Sequence, residues 1–165
     1  DIVVNNASAR GRRAFVDLDM ETWHNSFGAT LLGALYVTKA CVPSMIERGG
    51  GSIIGVGGLN SYRGQPARAH GMASKGSQGG LIRGLALDLG QHNIRSNFLV
   101  VGTFDTDLAG SNTAKTSVPD ASGIPLGRLG LPQDMADLIR FLVGPGASYI
   151  SGQTIHINGA AHCPL

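Results

Sequence analysis

Aromatic and charged residues are both scarce in this sequence. Aromatic residues make up 5% of its 165 positions and charged residues 15%, and the formal net charge is only +2. Aromatic and basic residues do not interleave, so we expect no nucleic-acid partner. The one basic group, Arg10, Arg12 and Arg13, could meet a phosphate, but its isolation favours a solvated loop.

Cysteine and long hydrophobic runs are also lacking. Cys41 and Cys163 lie far apart in the sequence, in no metal-ligand spacing, and two cysteines do not form a disulfide framework. No apolar run reaches membrane-spanning length, and the sequence does not open on a signal peptide. We therefore expect no metal site, no membrane partner and a reduced, cytoplasmic setting.

Glycine and apolar residues are abundant, and the apolar segments alternate between two periodicities. Short buried strands are predicted at "DIVVNN", "SIIGVGG", "NIRSNFLVV" and "QTIHING". One helix is predicted over 20–48, capped by Asp19 and kinked at Pro43. A second is predicted over 72–89, with Leu81, Leu85 and Leu89 on one face. A third is predicted from Pro132 to Phe141. This alternation indicates an α/β fold with a parallel sheet covered by helices on both faces.

The carboxyl ends of the predicted strands are the expected ligand-binding edge, as in other parallel α/β sheets. The sequence opens directly on a buried strand, which is unusual because terminal residues are commonly exposed. We therefore expect the start of the domain to be missing. The segment 109–127 is the longest predicted loop and has no readable pattern.

Several motifs together resemble the later part of a short-chain dehydrogenase/reductase, and the match runs nearly end to end. "NNAS" resembles the Asn-Asn-Ala-Gly that follows the family's fourth strand, and "GGGSIIGVGG" resembles its catalytic-serine strand. "ASKGSQGGLIRGLALDLGQHNIRSN" resembles the catalytic-lysine helix and the next strand. "VGTFDTD" resembles Pro-Gly-x-x-x-Thr, and the segment from "IPLGRLG" to "HINGA" resembles the family's closing segment.

The resemblance implies a single, partial Rossmann-like domain over 1–165 that lacks the family's first strands and glycine-rich phosphate loop. It implies NAD or NADP as cofactor, although the missing half makes binding by this chain alone doubtful. Asn5 and Asn6 could also be plain turn residues, and Thr106 could cap the segment that follows it. The cofactor-facing positions implied by the resemblance are Asn5, Asn6, Ala7, Lys75, Gly102 and Thr106.

The catalytic motif that the resemblance implies is degraded. The family pattern Tyr-x-x-x-Lys places Gly71 where the tyrosine should stand before Lys75. The serine position falls on Gly58, and the asparagine position of the long helix falls on Thr30. A glycine can neither transfer a proton nor orient a substrate oxygen, so only Lys75 remains of four catalytic positions.

Neighbouring residues are weak substitutes. His70 adjoins the tyrosine position and carries an imidazole that could in principle transfer a proton, but a single loop histidine is more often solvated or simply packed. Ser61 and Tyr62 fit a turn better than a site. Lys75 itself could extend to solvent, although its "ASKGS" context favours an inherited site lysine.

Three functions stay open. The first is an NAD(P)-dependent oxidoreductase acting on a carbonyl or alcohol substrate that the sequence does not name, impaired or inactive as this chain. The second is a non-catalytic family member that binds a ligand or partner; the family's helices corresponding to 20–48 and 72–89 commonly form a homo-oligomer interface. Gly76, Gly79, Gly80 and Gly84 would allow another helix to approach the 72–89 helix closely. The third is different chemistry, such as hydrolysis, on the same fold, which no nucleophile elbow supports.

Overall fold

The computed structural model describes residues 1–106 and 121–164 of the chain. Strands and helices alternate along these residues, as the periodicity predicted. The strands are β1 (Ile2–Asn5), β2 (Gly51–Gly58), β3 (Ile94–Val101) and β4 (Thr154–Ile157). The helices are α1 (Met20–Phe27), α2 (Gly33–Glu47), α3 (Asn60–Arg63), α4 (Ala69–Leu89) and α5 (Pro132–Val143). A π-helical turn lies at Gly28–Leu32, and 3-10 turns lie at Phe15–Asp17, Gly90–His92 and Pro145–Ala147.

The four strands form one parallel sheet in the order β1-β2-β3-β4. This confirms the predicted α/β class and the predicted parallel sheet. In the register, Asn5 pairs with Gly55, Gly58 with Val101, and Val101 with Ile157. The carboxyl ends of all four strands therefore lie at the same edge of the sheet, where the candidate site was expected.

Each face of the sheet buries its own hydrophobic cluster. On one face, α2 and α4 cover a cluster of strand and helix side chains, and on the other face α5 covers the second cluster. Alternating strand residues point to opposite faces, and both faces are covered, so the central strands β2 and β3 are buried almost continuously. The first cluster comprises Val3, Met45, Ile53, Leu59, Ile82, Ile94, Phe98 and Val100, and the second Ile54, Val56, Leu99, Leu142 and Ala147.

The ring of Phe98 lies between β2 and α4 and determines where glycine is needed. A Cβ at Gly55 would stand 3.0 Å from Cδ2 of Phe98, and a Cβ at Gly79 would stand 3.1 Å from its Cε1. A Cβ at Gly57 would overlap the same ring. The phenyl ring thus occupies the volume that three side chains would otherwise fill, which brings α4 close to the sheet.

The long helical segment begins and ends as predicted but is irregular in the middle. The Asp19 carboxylate accepts a hydrogen bond from the backbone N–H of Thr22, and the helix stops where Gly49 adopts a φ of 80°. The helix continues through Pro43 to Glu47. The irregularity is instead the π-helical turn Gly28–Leu32, which the sequence analysis did not predict.

Helix α4 starts three residues earlier than predicted and buries a different face. Its buried residues include Ser74, Gln78 and Ile82, spaced by four, whereas Leu81 stays half-exposed. Leu85 and Leu89 do pack against the first cluster. The helix therefore presents polar side chains to the site end of the sheet and apolar ones further along.

The outer edge of β1 is unpaired within the described residues. β1 pairs only with β2, and Ile2 and Val4 are 53% and 43% exposed. Unpaired edges present free backbone donors and acceptors to other chains. We expect this edge to be covered by another chain or to stay unpaired, which stays a prediction.

The continuous helical segment Met20–Glu47 corrects the expectation about apolar length. By length and composition alone it is apolar enough to cross a membrane, with a mean hydropathy of 1.4. Its buried residues Thr30, Ala34, Thr38 and Met45 face the rest of the fold. Helices of this kind also occur as core helices, so this feature is weak support for a membrane span.

Two smaller expectations can be compared with the described residues. Cys41 and Cys163 are both free thiols, as expected. Of the predicted loop 109–127, only residues 121–127 are described; they form turns in which Ile124 is buried. The rest of that loop lies outside the described residues.

Candidate active site

Lys75 projects from α4 toward the carboxyl end of β2. Its Nζ lies 3.5 Å from the position that a Cβ would take at Gly58. This is an ordinary van der Waals distance, so Gly58 is not required by packing against Lys75. The fold brings these two positions together, as the resemblance implied.

Gly71 stands one helical turn before Lys75 on the same side of α4. A Cβ built at Gly71 would meet no atom within 4 Å, apart from the helix's own backbone. Residues four apart are neighbours on a helix surface. Volume is therefore open beside the lysine amino group at Gly58 and, one helical turn before Lys75, at Gly71, and a larger side chain could begin at either position.

The Lys75 ammonium group is disfavoured by its surroundings. Burial lowers the pKa of the Lys75 amino group, and the positive charges of Arg10 and Arg68 lower this pKa further. Within residues 1–106 and 121–164, Lys75 takes part in none of the ion pairs. The site thus holds an amine without a carboxylate to stabilise its charge.

Thr30, at the asparagine position, lies inside the π-helical turn. It is 1% exposed, and its Oγ1 has no hydrogen-bond partner among the described residues. The π-helical turn contacts α4, so Thr30 lies on the layer that supports Lys75. Single π-turns occur frequently at functional sites. The threonine's catalytic role stays a prediction.

Buried hydroxyl groups fix α4 beside the lysine. The hydroxyls of Ser26 and Ser74 are 2.9 Å apart and form a hydrogen bond, and Ser74 also lies 3.2 Å from the backbone oxygen of Gly71. Ser26 and Ser74 are both at least 99% buried. Hydrogen-bonded polar groups of this kind fix one arrangement of two helices.

A second polar connection joins α4 to the end of β1. Gln78 donates from Nε2 to the backbone oxygen of Asn5 over 3.3 Å, and Asn5 donates from Nδ2 to Oγ1 of Thr38 over 3.0 Å. Asn5 is buried, so its side chain supports the site framework rather than extending into solvent. The sequence analysis missed these supporting residues; the four-residue spacing of Ser74, Gln78 and Ile82 was the available signal.

The other positions implied for the cofactor lie along the same edge. Asn6 and Ala7 are exposed directly after β1, and Thr106 is exposed beyond β3. Gly102 donates its backbone N–H to the oxygen of Ile157, and a Cβ there would stand 2.8 Å from Cα of Asn158. Glycine at 102 is therefore required by close approach of the backbone. The cofactor roles of these residues stay predictions.

The possible substitute residues lie elsewhere than expected. His70 is inside the first turn of α4 rather than in a loop, is 3% exposed, and its Nδ1 has no partner among the described residues. Ser61 and Tyr62 belong to the short helix α3, not to a turn. The Tyr62 ring meets the edge of His156, with centroids 5.0 Å apart.

A cavity of about 230 Å³ lies beside the carboxyl ends of β3 and β4. Its lining includes Thr103, Phe104 and Ile124, and the Arg128–Asp134 ion pair. Bonding to Arg128 and to the backbone of Leu131 holds the pKa of Asp134 at about 2. None of Thr30, Gly58, Gly71 and Lys75 lines this cavity, so it neighbours the catalytic positions without containing them.

The parallel sheet places this chain in the class of Rossmann-like α/β proteins, and polar groups with a half-buried lysine lie at the carboxyl edge of that sheet. Comparison with known sequences gives the family. A sequence model described as enoyl-(acyl carrier protein) reductase matches residues 1–162. The 3-oxoacyl-[acyl-carrier-protein] reductase of Chlamydia trachomatis is 32% identical over 160 residues, 96% of this chain and 64% of that protein. The 3alpha-hydroxysteroid dehydrogenase of Mediterraneibacter gnavus is 34% identical over 161 residues, 98% of this chain and 64% of that protein.

Solved structures agree with these sequence relatives. Acetoin dehydrogenase from Enterobacter cloacae superposes with a TM-score of 0.85 at 31% identity, covering 98% of this chain and 64% of that one. A 7α-hydroxysteroid dehydrogenase complexed with NADH and 7-oxo glycochenodeoxycholic acid superposes with a TM-score of 0.86 at 30% identity, covering 97% of this chain and 63% of that one. This chain belongs to the short-chain dehydrogenase/reductase family, and it spans about 64% of the length of these relatives.

Proposed function

We propose that this chain is the catalytic-side portion of an NAD(P)-dependent oxidoreductase that acts on a carbonyl or alcohol, with its chemistry impaired. Its relatives carry the names of reductases and dehydrogenases. The observation that carries the impairment is the pair of glycines beside the Lys75 amino group. We also propose a cytoplasmic location, in keeping with the free thiols Cys41 and Cys163.

The chemistry of reduction explains why these glycines matter. A carbonyl that accepts hydride must also receive a proton on its oxygen, and a positioned acid is worth about a hundred- to ten-thousand-fold in rate. Gly71 has no proton to give at the tyrosine position. Gly58 has no hydroxyl to orient the oxygen, so preorganised hydrogen bonding is lost as well. Of positions 58, 71 and 75, only Lys75 carries a side chain that can donate a proton or a hydrogen bond.

The residues present fit one half of a dinucleotide. Lys75 offers an unpaired amino group, and Asn6, Ala7 and Thr106 are exposed at the strand edge where such ligands bind. A bound nicotinamide would supply the hydride. The described chain offers no glycine-rich loop at a helix N-terminus after a strand for the pyrophosphate. We therefore expect weak binding of either NADH or NADPH.

Titration and turnover of the purified chain test the proposal. We expect calorimetry with NADH and with NADPH to show affinities weaker than micromolar. Assays with acetoin, for which a structural relative is named, should show negligible cofactor-dependent turnover. Micromolar binding, or robust turnover by the unmodified chain, would contradict the proposed impairment and direct attention to His70 and Tyr62.

A second candidate, a binding or dimerisation role, is supported by exposed apolar residues on the long helix. Tyr36 and Val37 are 65% and 51% exposed. On α4, Gly76, Gly80 and Gly84 are exposed with no atom near a Cβ position, which would let another helix approach closely. Gly79 is not part of this face, because it packs against Phe98.

The oligomeric state tests this second candidate. We expect sedimentation to show a homo-oligomer that Val37→Asp dissociates. Val16→Asp is the matched control, because Val16 is 91% exposed but lies outside these helices. A monodisperse monomer for the unmodified chain, or equal effects of the two substitutions, would argue against a homo-oligomer formed through the helices.

A further inference from the structure

The loop after β1 brings positive charge next to Lys75. Arg13 donates its backbone N–H to the oxygen of Ala67 over 2.9 Å, which holds this loop against the segment that leads into α4. A Cβ at Gly11 would stand 3.8 Å from Nε2 of His70, so Arg10 and Arg12 flank a residue that lies beside the start of α4. The charges of Arg10 and Arg68 act on Lys75, and those of Arg12 and Arg10 act on Arg68. Arg68 is half-buried, and its Nε has no partner among the described residues. None of these three arginines forms an ion pair within residues 1–106 and 121–164.

The amino group is enclosed enough to lose hydration yet remains reachable. Lys75 is half-buried, Gly58 leaves volume beside its amino group, and Gly71 leaves open volume one helical turn earlier. Arg10 is exposed, and its positive charge acts on Lys75. A small molecule bound in the volume at Gly58 would meet the Lys75 Nζ within reach of that charge.

These surroundings favour the neutral, nucleophilic form of the amine. Desolvation in the fold and the charges of Arg10 and Arg68 all lower the pKa of Lys75. Lysines activated as nucleophiles toward carbonyl compounds are those that are desolvated or placed beside another cation. Among residues 1–106 and 121–164, the charged groups that act on Lys75 are Arg10 and Arg68, both cationic.

We propose that Lys75 forms an imine with a small carbonyl compound that carries a carboxylate, with Arg10 and Arg68 binding the carboxylate. The lone pair of Nζ attacks the carbonyl carbon, a C–N bond forms, and the C=O π electrons move to oxygen. Protons pass from nitrogen to that oxygen, which leaves as water when the C=N bond forms. No electrons are gained or lost overall, so the step needs no redox partner.

This activity does not rest on the proposed oxidoreductase function, because imine formation requires no nicotinamide. A chain that shows no cofactor-dependent turnover could still form the imine, and a chain that forms no imine could still turn over the cofactor. Imine capture is measured as a covalent adduct in the absence of NADH and NADPH. Oxidoreductase function is measured as cofactor turnover.

The experiment uses pyruvate as the probe and cyanoborohydride to trap the imine as a stable amine. Intact mass and peptide mapping locate the adduct, with Lys39 and Lys115 as internal references. Lys39 is exposed on α2. At neutral pH we expect Lys75 to be labelled several-fold faster than Lys39, because burial and neighbouring positive charge lower the pKa of the Lys75 amino group. Equal labelling of Lys75 and Lys39 would overturn the proposal without any variant being needed.

Matched variants test the parts of the proposal. Gly71→Tyr fills the volume next to the amine and should reduce Lys75 labelling several-fold. Arg10→Gln and Arg68→Gln should slow the labelling of Lys75 by pyruvate but not by acetaldehyde, which lacks a carboxylate. Arg83→Gln, on the exposed side of α4, is the control and should leave labelling by both compounds unchanged. Equal labelling of all variants by pyruvate would overturn the assignment of the arginines.

Discussion

Strand β2 and helix α4 both contribute glycines to two regions, one around Phe98 and one around Lys75. Around Phe98, a Cβ at Gly55, Gly57 or Gly79 would meet the phenyl ring at 3.1 Å or less. Around Lys75, a Cβ at Gly58 would be at 3.5 Å from Nζ, and one at Gly71 would meet nothing within 4 Å. Glycine is thus enforced by packing in the first region and unconstrained in the second.

The difference separates glycines that the packing requires from glycines at the positions where we propose that catalytic side chains are missing. Phe98 fills the volume next to its glycines, so the core between β2 and α4 is closely packed. The glycines beside Lys75 leave volume that nothing in the described chain fills. A glycine at either place looks the same in the sequence, although substitution should have opposite results.

The largest expected effect is on activity in the Lys75 region. When the chain is extended with the N-terminal third of a relative such as the C. trachomatis reductase, Gly58→Ser with Gly71→Tyr should raise carbonyl reduction by about a hundred- to ten-thousand-fold. The geometry admits both side chains. Steady-state kinetics measures the gain, which Lys75→Ala should abolish and Lys39→Ala should leave intact. No gain in the extended protein would show that Gly58 and Gly71 do not limit the chemistry.

The next largest effect is loss of stability when the Phe98 ring is removed. Phe98 is 1% exposed, and truncation of a buried phenylalanine to alanine typically costs about 3–5 kcal/mol. Phe98→Ala should therefore lower the free energy of unfolding by this amount in urea denaturation. Phe15→Ala is the control, because Phe15 is 76% exposed. Similar losses from both substitutions would contradict the central place given to Phe98.

Adding a methyl group at Gly57 should also destabilise the protein, by about 1–3 kcal/mol, because the Phe98 ring must move. The cost should fall substantially when Gly57→Ala is made in the Phe98→Ala background, since the clash is then absent. A double-mutant cycle in urea measures this coupling. Additive costs would mean that Gly57 is needed for a reason other than the phenyl ring.

The smallest effect has the opposite sign. Gly71→Ala should stabilise the chain by up to about 1 kcal/mol, because alanine is favoured over glycine within a helix and position 71 is sterically open. Gly79→Ala on the same helix is the matched comparison and should destabilise it. Thermal unfolding of the two variants gives the ordering. If Gly71→Ala were as harmful as Gly79→Ala, the contrast between the two regions would fail.

Much of the fold could be predicted from local patterns. The apolar runs gave all four strands, Asp19 gave a helix start, and Pro132 gave the first position of α5. Boundaries were less accurate, as with α4, which begins at Ala69 and so includes His70. The π-helical turn was missed because its residues, GATLL, are compatible with an ordinary helix. The short helix α3 was missed because four residues carry no periodicity.

The sequence proposed the residues of the candidate site but not their surroundings, and the roles of those residues stay predictions. Family motifs pointed to Lys75, Gly58 and Gly71, and the fold places the lysine amino group beside the first and one turn from the second. The supporting pair Ser26 and Ser74 comes from helices far apart in the sequence, so no local pattern reveals it. The approach of Arg10 to Lys75 likewise depends on how the loop after β1 folds back.

The sequence by itself determined the order of strands and helices, because periodicity and capping are local properties of a few neighbouring residues. It also determined that glycine stands at positions 58 and 71, since that is a matter of residue identity. Only the tertiary structure decided which glycines are necessary. That depends on what faces each Cβ position from a distant segment: the ring of Phe98 from β3 at Gly57, and open space at Gly71.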